Sequence, residues 1–281
     1  MSGESASRAS ERAHWEQSLQ SQVGAQLELA GSGDGSAPRI RRVIVLDETA
    51  STQDAEETRS AESGTVITAL RQSSGRGRLG RSWSDPHGEG VAMTAVLPSR
   101  PFAAPEQSVE LLALASAVAA SRAVESMLRE PVGIKWPNDL IVRGRKLGGI
   151  LIEKSRDRIL LGIGVNVLQR SFPPELESIA TSMFLVANTQ STVTRLDVVR
   201  SVLAELERVL VLSADAILYE YATRDVLSGS VAAFATSMGT IEGEVCSVDP
   251  LRGLTVRNGS GAHFLPAATT TVCSWKSRSS M

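Results

Sequence analysis

At 281 residues the chain is long enough for a full hydrophobic core and about two domains. Its 29 Lys and Arg against 31 Asp and Glu leave a formal charge of −2, which withholds the one-signed surface of a nucleic-acid binder, and no run of 18 apolar residues offers a membrane span. Two cysteines, Cys246 and Cys273, and three scattered histidines, His14, His87 and His263, exclude a disulfide scaffold, a Cys/His zinc set and a Ser/His/Asp grouping. The cysteines read as small buried core thiols, and His87 as a turn residue in Asp85-Pro86-His87-Gly88.

Residues 1–38 are rich in Ser, Gly, Glu and Ala. Trp15, Leu19, Val23 and Leu27 give 11–29 one helical spacing, but the Gly/Ser run at 31–36 breaks it. The segment reads as a flexible N-terminal extension whose removal is expected to leave activity within about threefold. Ordered structure is expected from a strand at 42–46. The hydroxyl of Ser51 or Thr52 would then cap a helix running to about Glu62. A strand at 65–70 leads into an arginine- and glycine-rich loop, a strand at 91–97 follows, and Val109, Leu112, Ala115, Ala119 and Ala123 mark a long helix. Strands are predicted at 132–135, 140–142, 147–153 and 159–167, and helices at 195–212 and 214–224. Without regular βαβ alternation the mixture is α+β. Beyond Asp225, five short strand candidates in about 50 residues predict a small β-barrel.

Four clusters carry the chemistry. The first, Gly75-Arg76-Gly77-Arg78-Leu79-Gly80-Arg81-Ser82-Trp83, alternates planar, permanently charged guanidinium forks with glycines that let backbone N–H groups reach a ligand, and ends on an indole able to stack. Its like charges repel, so 75–82 are expected to be mobile until an anion binds. The others are Lys135-Trp136-Pro137-Asn138-Asp139-Leu140, Arg145-Lys146-Leu147-Gly148-Gly149-Ile150-Leu151 and Gly162-Ile163-Gly164-Val165-Asn166. In a balanced chain this local charge favours a small anionic ligand.

In this order the clusters resemble those of the biotin protein ligases: Ser51-Thr52-Gln53, the arginine loop with Trp83, KWPND at 135–139, KLGGIL at 146–151 and a GxGxN run ending at Asn166. The resemblance is strong from Asp47 to about Val167 and weaker beyond. It implies an α+β fold: a class II synthetase-like catalytic domain with a mixed sheet at 39–225, then an SH3-like domain at 226–276. It also implies the activity: biotin and MgATP give biotinyl-5′-AMP, and the biotinyl group passes to a lysine of the biotin carboxyl carrier domain of an acyl-CoA carboxylase, in the cytoplasm. The resemblance assigns catalysis to Lys146, Arg78 and Lys135. Biotin binding falls to Ser51, Thr52, Gln72, Gly75, Arg76, Lys146 and Gly149, with Gly148 and Gly149 kept free of a Cβ that would crowd the ring. Nucleotide binding falls to Arg78, Arg81, Trp83, Asn138 and Asn166. Asp139 has no single role, Trp136 is structural, and Mg²⁺ rests mainly on the ATP phosphates. Gln53 departs from the family's usual Asn, as Ser73-Ser74 do from the residues usual after Gln72. Residues 1–38 offer no counterpart to the DNA-binding domain of the bifunctional members, so a ligase without nucleic acid is implied. A lipoate or octanoate ligase of the same superfamily and a nucleic-acid-binding regulator are the alternatives.

Overall fold

The computed structural model describes residues 2–30, 40–85, 87–99, 109–155, 157–187, 193–237 and 239–276. It opens on α1 (Ser2–Ala30), β1 (Arg42–Leu46), α2 (Glu56–Ser60), β2 (Thr65–Ala69), the hairpin strands β3 (Gln72–Arg76) and β4 (Ser82–Asp85), and β5 (Val91–Pro98). Then come α3 (Val109–Leu128), β6 (Gly133–Lys135), β7 (Asp139–Val142), β8 (Arg145–Lys154), β9 (Arg158–Val165), α4 (Pro174–Glu177), α5 (Met183–Ala187), α6 (Arg195–Val209) and α7 (Ala214–Ala222). Five strands close the chain: β10 (Val231–Thr236), β11 (Gly239–Asp249), β12 (Gly253–Asn258), β13 (Gly261–Pro266) and β14 (Thr271–Lys276).

The larger sheet has the order β1-β2-β5-β9-β8-β7-β6. β1 and β2 pair in parallel and the other neighbours antiparallel, so the sheet is mixed. β2 and β5 are buried almost throughout, as expected of central strands covered on both faces. The small residues of α3 let it pack closely on α6 and α7. This helix is long and apolar enough to cross a membrane by length and composition, but most of it is buried inside the protein. Helix α6 opens on a capping box between Thr194 and Asp197, and Ser213 caps α7. The C-terminal sheet is antiparallel, β13-β12-β11-β10-β14, with Phe234, Val245, Leu254, Val256 and Leu265 buried between its faces and the main domain. The fold is α+β with a second, all-β unit, as the sequence predicts.

Four expectations need correction. Residues 2–30 are one helix rather than a flexible extension; 31–39 lie outside the described residues. Trp15, Leu19 and Val23 form a buried stripe against the core, while Gln20 accepts a hydrogen bond from the edge-strand amide of Val43 (3.0 Å) and donates to the Arg41 carbonyl (3.2 Å). The helix thus covers the open edge of the sheet. Secondly, Ser51 and Thr52 cap nothing, because α2 begins after Ala55 without a side-chain cap. Thirdly, the arginine loop is an antiparallel hairpin, β3–β4, turned by a short 3₁₀ segment at Arg78–Gly80. Fourthly, the cysteines are not core thiols: Cys246 is half-buried and Cys273 exposed.

Candidate active site

Strand pairing makes the floor. Asp139 of β7 lies opposite Gly149 of β8, which lies opposite Gly164 of β9, opposite Ala92 of β5; two residues along, Leu151, Gly162 and Thr94 form the next row. Directly paired residues share a face, so Gly149, Gly162 and Gly164 leave a smooth strip bare of side chains. Three groups lie over it. A Cβ on Gly164 would come within 2.9 Å of the Trp83 ring, one on Gly162 within 2.9 Å of Gln53 Oε1, and one on Gly149 would touch the Lys146 ammonium stem at 3.4 Å. Above this floor opens a cleft of about 960 Å³.

One carboxylate organises one end of the cleft. Asp139 Oδ1 lies 2.7 Å from Lys146 Nζ and its Oδ2 2.9 Å from Lys135 Nζ. The tight turn before β7 holds it there. Asn138 N donates to the Lys135 carbonyl (3.2 Å), its Nδ2 donates to the Ile150 carbonyl, and its own carbonyl accepts from Ile150 N (2.9 Å). Trp136, fully buried, donates from Nε1 to the Pro250 carbonyl (3.0 Å) and so ties this turn to the C-terminal sheet. Burial acts to raise the Asp139 pKa, but Lys146 and Lys135 outweigh it and the carboxyl ends below its ordinary value. A depressed folded pKa stabilises the protein fully at neutral pH and progressively less as pH falls through the folded value. Asp139→Asn should therefore narrow the stability gap to wild type below pH about 4. Urea midpoints measured from neutral to acid pH check this, and a gap constant with pH would deny Asp139 the linkage.

The hairpin brings the arginines over the same cleft without free like-charge repulsion. Arg76 bridges Asp54 (2.9 Å) and Glu153 (2.8 Å), and Arg78 donates to Asn138 Oδ1 (3.4 Å). Desolvation lowers the Arg78 pKa; Asp139 opposes the shift and the neighbouring Arg81 adds to it. Trp83 is half-buried, with Lys146 Nζ 5.9 Å from its ring centroid and its own Nε1 buried without an acceptor. At the hairpin base Gln72 Oε1 accepts from Thr52 N (2.8 Å), and Thr94 Oγ1 donates to Thr52 Oγ1 (2.8 Å). Ser51, Thr52 and Gln72 are all buried there.

Lys146, Lys135, Arg76, Arg78, Arg81, Trp83, Asn138, Ser51, Thr52, Gln72, Gly149 and Asn166 all line the one cleft. Two glycines do not act as expected. Gly75 is a packing residue of the hairpin, where a Cβ would come within 2.8 Å of the Trp83 carbonyl; Gly148 faces away, where a Cβ would press at 2.6 Å on the Gly164 carbonyl. Asn166 is buried and gives its Nδ2 to the Thr181 carbonyl (3.0 Å). Residues missed from the sequence include Asp85, whose oxygens accept from Glu89 N and Gly90 N (both 2.9 Å) and close the turn after β4. The wall formed by Thr271, Val272 and Cys273 of β14 also went unseen. The turn run Asp85-Pro86-His87-Gly88 carried a signal for the former; the wall carried none, because it is remote in sequence. Among the described residues no group of three or more His, Cys, Asp or Glu is placed to hold a metal ion.

Residues 44–169 match the Biotin/lipoate A/B protein ligase family. The chain is similar to the Bacillus subtilis bifunctional ligase/repressor BirA, 36% identical over 171 residues that make up 58% of this chain and 51% of the relative. It is likewise similar to the Mycobacterium tuberculosis biotin–[acetyl-CoA-carboxylase] ligase, 34% identical over 163 residues, 56% of this chain and 58% of that one. The chain spans about half the length of the curated relatives it matches. Among solved structures it resembles the Aquifex aeolicus biotin protein ligase in complex with biotin and ATP, with a TM-score of 0.72 and 26% identity, covering 82% of this chain and 97% of that one.

Proposed function

We propose that the chain, whose residues 44–169 match the biotin/lipoate A/B protein ligase family, is an ATP-dependent biotin protein ligase, with the catalytic part at 39–225 and the small β unit at 226–276. The observation that carries this reading is the single cleft in which Lys146 and Lys135 share Asp139 while three arginines face them across a glycine floor. Such a site suits a reaction between two anions.

In the first step a biotin carboxylate oxygen attacks the α-phosphorus of ATP. The bond from that phosphorus to the bridging oxygen breaks, pyrophosphate leaves, and biotinyl-5′-AMP remains. Lys146 sits between the carboxylate and the α-phosphate, and Arg78, Arg81 and Lys135 take up the phosphate charge; fixed cations of this kind act by positioning and charge neutralisation. Arg76 closes the hairpin over the head group, Ser51, Thr52 and Gln72 meet that head with neutral polar groups, and Trp83, Asn138 and Asn166 receive the nucleotide. Mg²⁺, when bound, would be held mainly by the ATP phosphates and would offset their charge, leaving the protein's own cations to orient them. In the second step the neutral amine of a carrier-domain lysine attacks the acyl carbon. The acyl–oxygen bond breaks, AMP leaves with the electron pair, and the amine gives up a proton to form the amide. The acceptor is the biotin carboxyl carrier domain of an acyl-CoA carboxylase, met in the cytoplasm.

Incubation of the protein with ATP, Mg²⁺, radiolabelled biotin and a carrier-domain fragment should move label covalently to one lysine. Label that stays acid-extractable in every fraction would reject the reading.

A further inference from the structure

Arg195 is the first residue of α6, and its side chain is only 11% exposed. That is an unfavourable place for a cation, since burial strips water from the guanidinium and the N-terminus of a helix favours negative charge. Its partners offset this. Nη1 donates to the Leu70 carbonyl (2.6 Å) and Nη2 to Glu11 Oε1 of α1 (3.0 Å), while the guanidinium lies 5.0 Å from the centroid of the Trp15 ring, also of α1. Burial draws the Arg195 pKa down, and Glu11 and then Asp85 oppose the shift. Leu70 stands two residues before β3, and Asp85 ends β4, where it pairs with Gln72 at the root of the arginine hairpin. One guanidinium therefore faces the root of the hairpin on one side and α1 on the other. An exposed set runs alongside: Glu48 lies 3.9 Å from Arg8 of α1 and 3.4 Å from Arg71. Exposed pairs of this kind contribute little, which leaves Arg195 as the stronger link.

Resting on the biotin ligase reading above, we propose that Arg195 is a positioning residue for the arginine hairpin: by tying the hairpin root to α1, it makes the seating of α1 and the closure of the hairpin over ligand one linked equilibrium. Arg195 does not line the cleft, whereas Asp85 does, so it acts through the hairpin and not by touching substrate. A hairpin already held in its closed arrangement binds ligand without first having to be ordered. Linkage then requires bound ligand to tighten α1 by the same factor. Lys135, Asp139 and Lys146 stand on β6, β7 and β8, outside the hairpin, and bound ligand orders the hairpin whether or not its root is tied. Loosening the root therefore acts on binding more than on the rate at saturation.

The test is amide hydrogen exchange of the full-length wild-type protein, Arg195→Gln and Glu11→Ala, free and with saturating biotin, ATP and Mg²⁺, alongside steady-state kinetics of pyrophosphate release. In free Arg195→Gln, exchange over 72–85 should quicken about fivefold or more, with a smaller change in the same direction in Glu11→Ala. KM for biotin and ATP should rise by a like factor, while kcat stays within about twofold of wild type. In wild type the ligands should slow exchange in α1 as well as in the hairpin; in Arg195→Gln they should slow the hairpin alone. A merely structural Arg195 would quicken exchange across α1, α6 and the sheet together and leave KM unmoved, and that result overturns the proposal. So do wild-type α1 amides indifferent to ligands that protect the hairpin. If Arg195→Gln does not fold, Glu11→Ala decides, because Glu11 is exposed on α1 and lies outside the cleft: faster exchange in α1 with the hairpin unchanged overturns the link. A wild-type protein in which the ligands slow no amide anywhere would instead reject the ligase reading, and exchange of the hairpin in the free proteins would still decide whether Arg195 holds it.

Discussion

Lys146→Ala is expected to slow biotinyl-5′-AMP formation by about 10²–10³-fold, the range for removing one preorganised donor aimed at developing charge. The side chain projects from β8 over Gly149, 38% exposed, held at 2.7 Å by Asp139. Truncating it empties no core site but leaves the buried Asp139 with Lys135 as its remaining lysine partner, so the melting temperature should fall and the rate is compared at a temperature where both proteins are folded. In the proposed reaction a carboxylate and a phosphate come together, and Lys146 is the cation proposed to lie between them. Lys146→Arg keeps the charge but spreads it over a fork, and should recover only part of the rate. Pyrophosphate release measured with saturating biotin and ATP checks both, and near-normal turnover by the alanine variant would remove Lys146 from the mechanism.

Leu19→Ala is expected to cost about 2–5 kcal/mol, the usual range for emptying a buried leucine site. That is a fall in Tm of roughly 5–15 °C for a protein of this size. Leu19 is fully buried between Trp15 and Val23 on the side of α1 that meets the sheet. Polar contacts reinforce the seat: Arg12 lies 3.3 Å from Asp47, and Arg195 bridges Glu11 at 3.0 Å while stacking 5.0 Å over Trp15. Deleting residues 1–30 should lower stability further, because the edge of β1 and the apolar face under α1 are then left to water. Differential scanning calorimetry decides; a Leu19→Ala variant melting with wild type would place α1 outside the folding unit.

The sequence revealed elements wherever burial imposed a period. Val43 and Val45, or the unbroken apolar run of β5, show their strands because the core needs them on one face or both. The arginine hairpin was hidden, since Gly, Ser and Arg at 72–85 follow no apolar period and are held by pairing partners alone. α1 was discounted for the opposite reason. Its four-residue stripe was visible, but the Ser- and Gly-rich composition around it argued for a solvated tail. The clustering of chemistry was legible because Lys135, Asp139 and Lys146 lie close in sequence on adjoining strands. The bare floor was harder to see: Gly149, Gly162 and Gly164 become one surface only once the register of β8 on β9 is known, and that register also sends Gly148 to the opposite face. Gln53 stood out merely as a substitution until Gly162 was placed beneath it.

Trp136 and Pro250 are 114 residues apart along the chain, and their hydrogen bond is one of the seams that join the turn carrying Asn138 and Asp139 to the C-terminal sheet. The last wall of the cleft, Thr271–Cys273, is made later still. During synthesis from the N-terminus, the floor, both lysines and the hairpin therefore emerge from the ribosome well before the strand that encloses them. With domains folding in order as the chain lengthens, a nascent chain holds a half-open trough until β14 has been made.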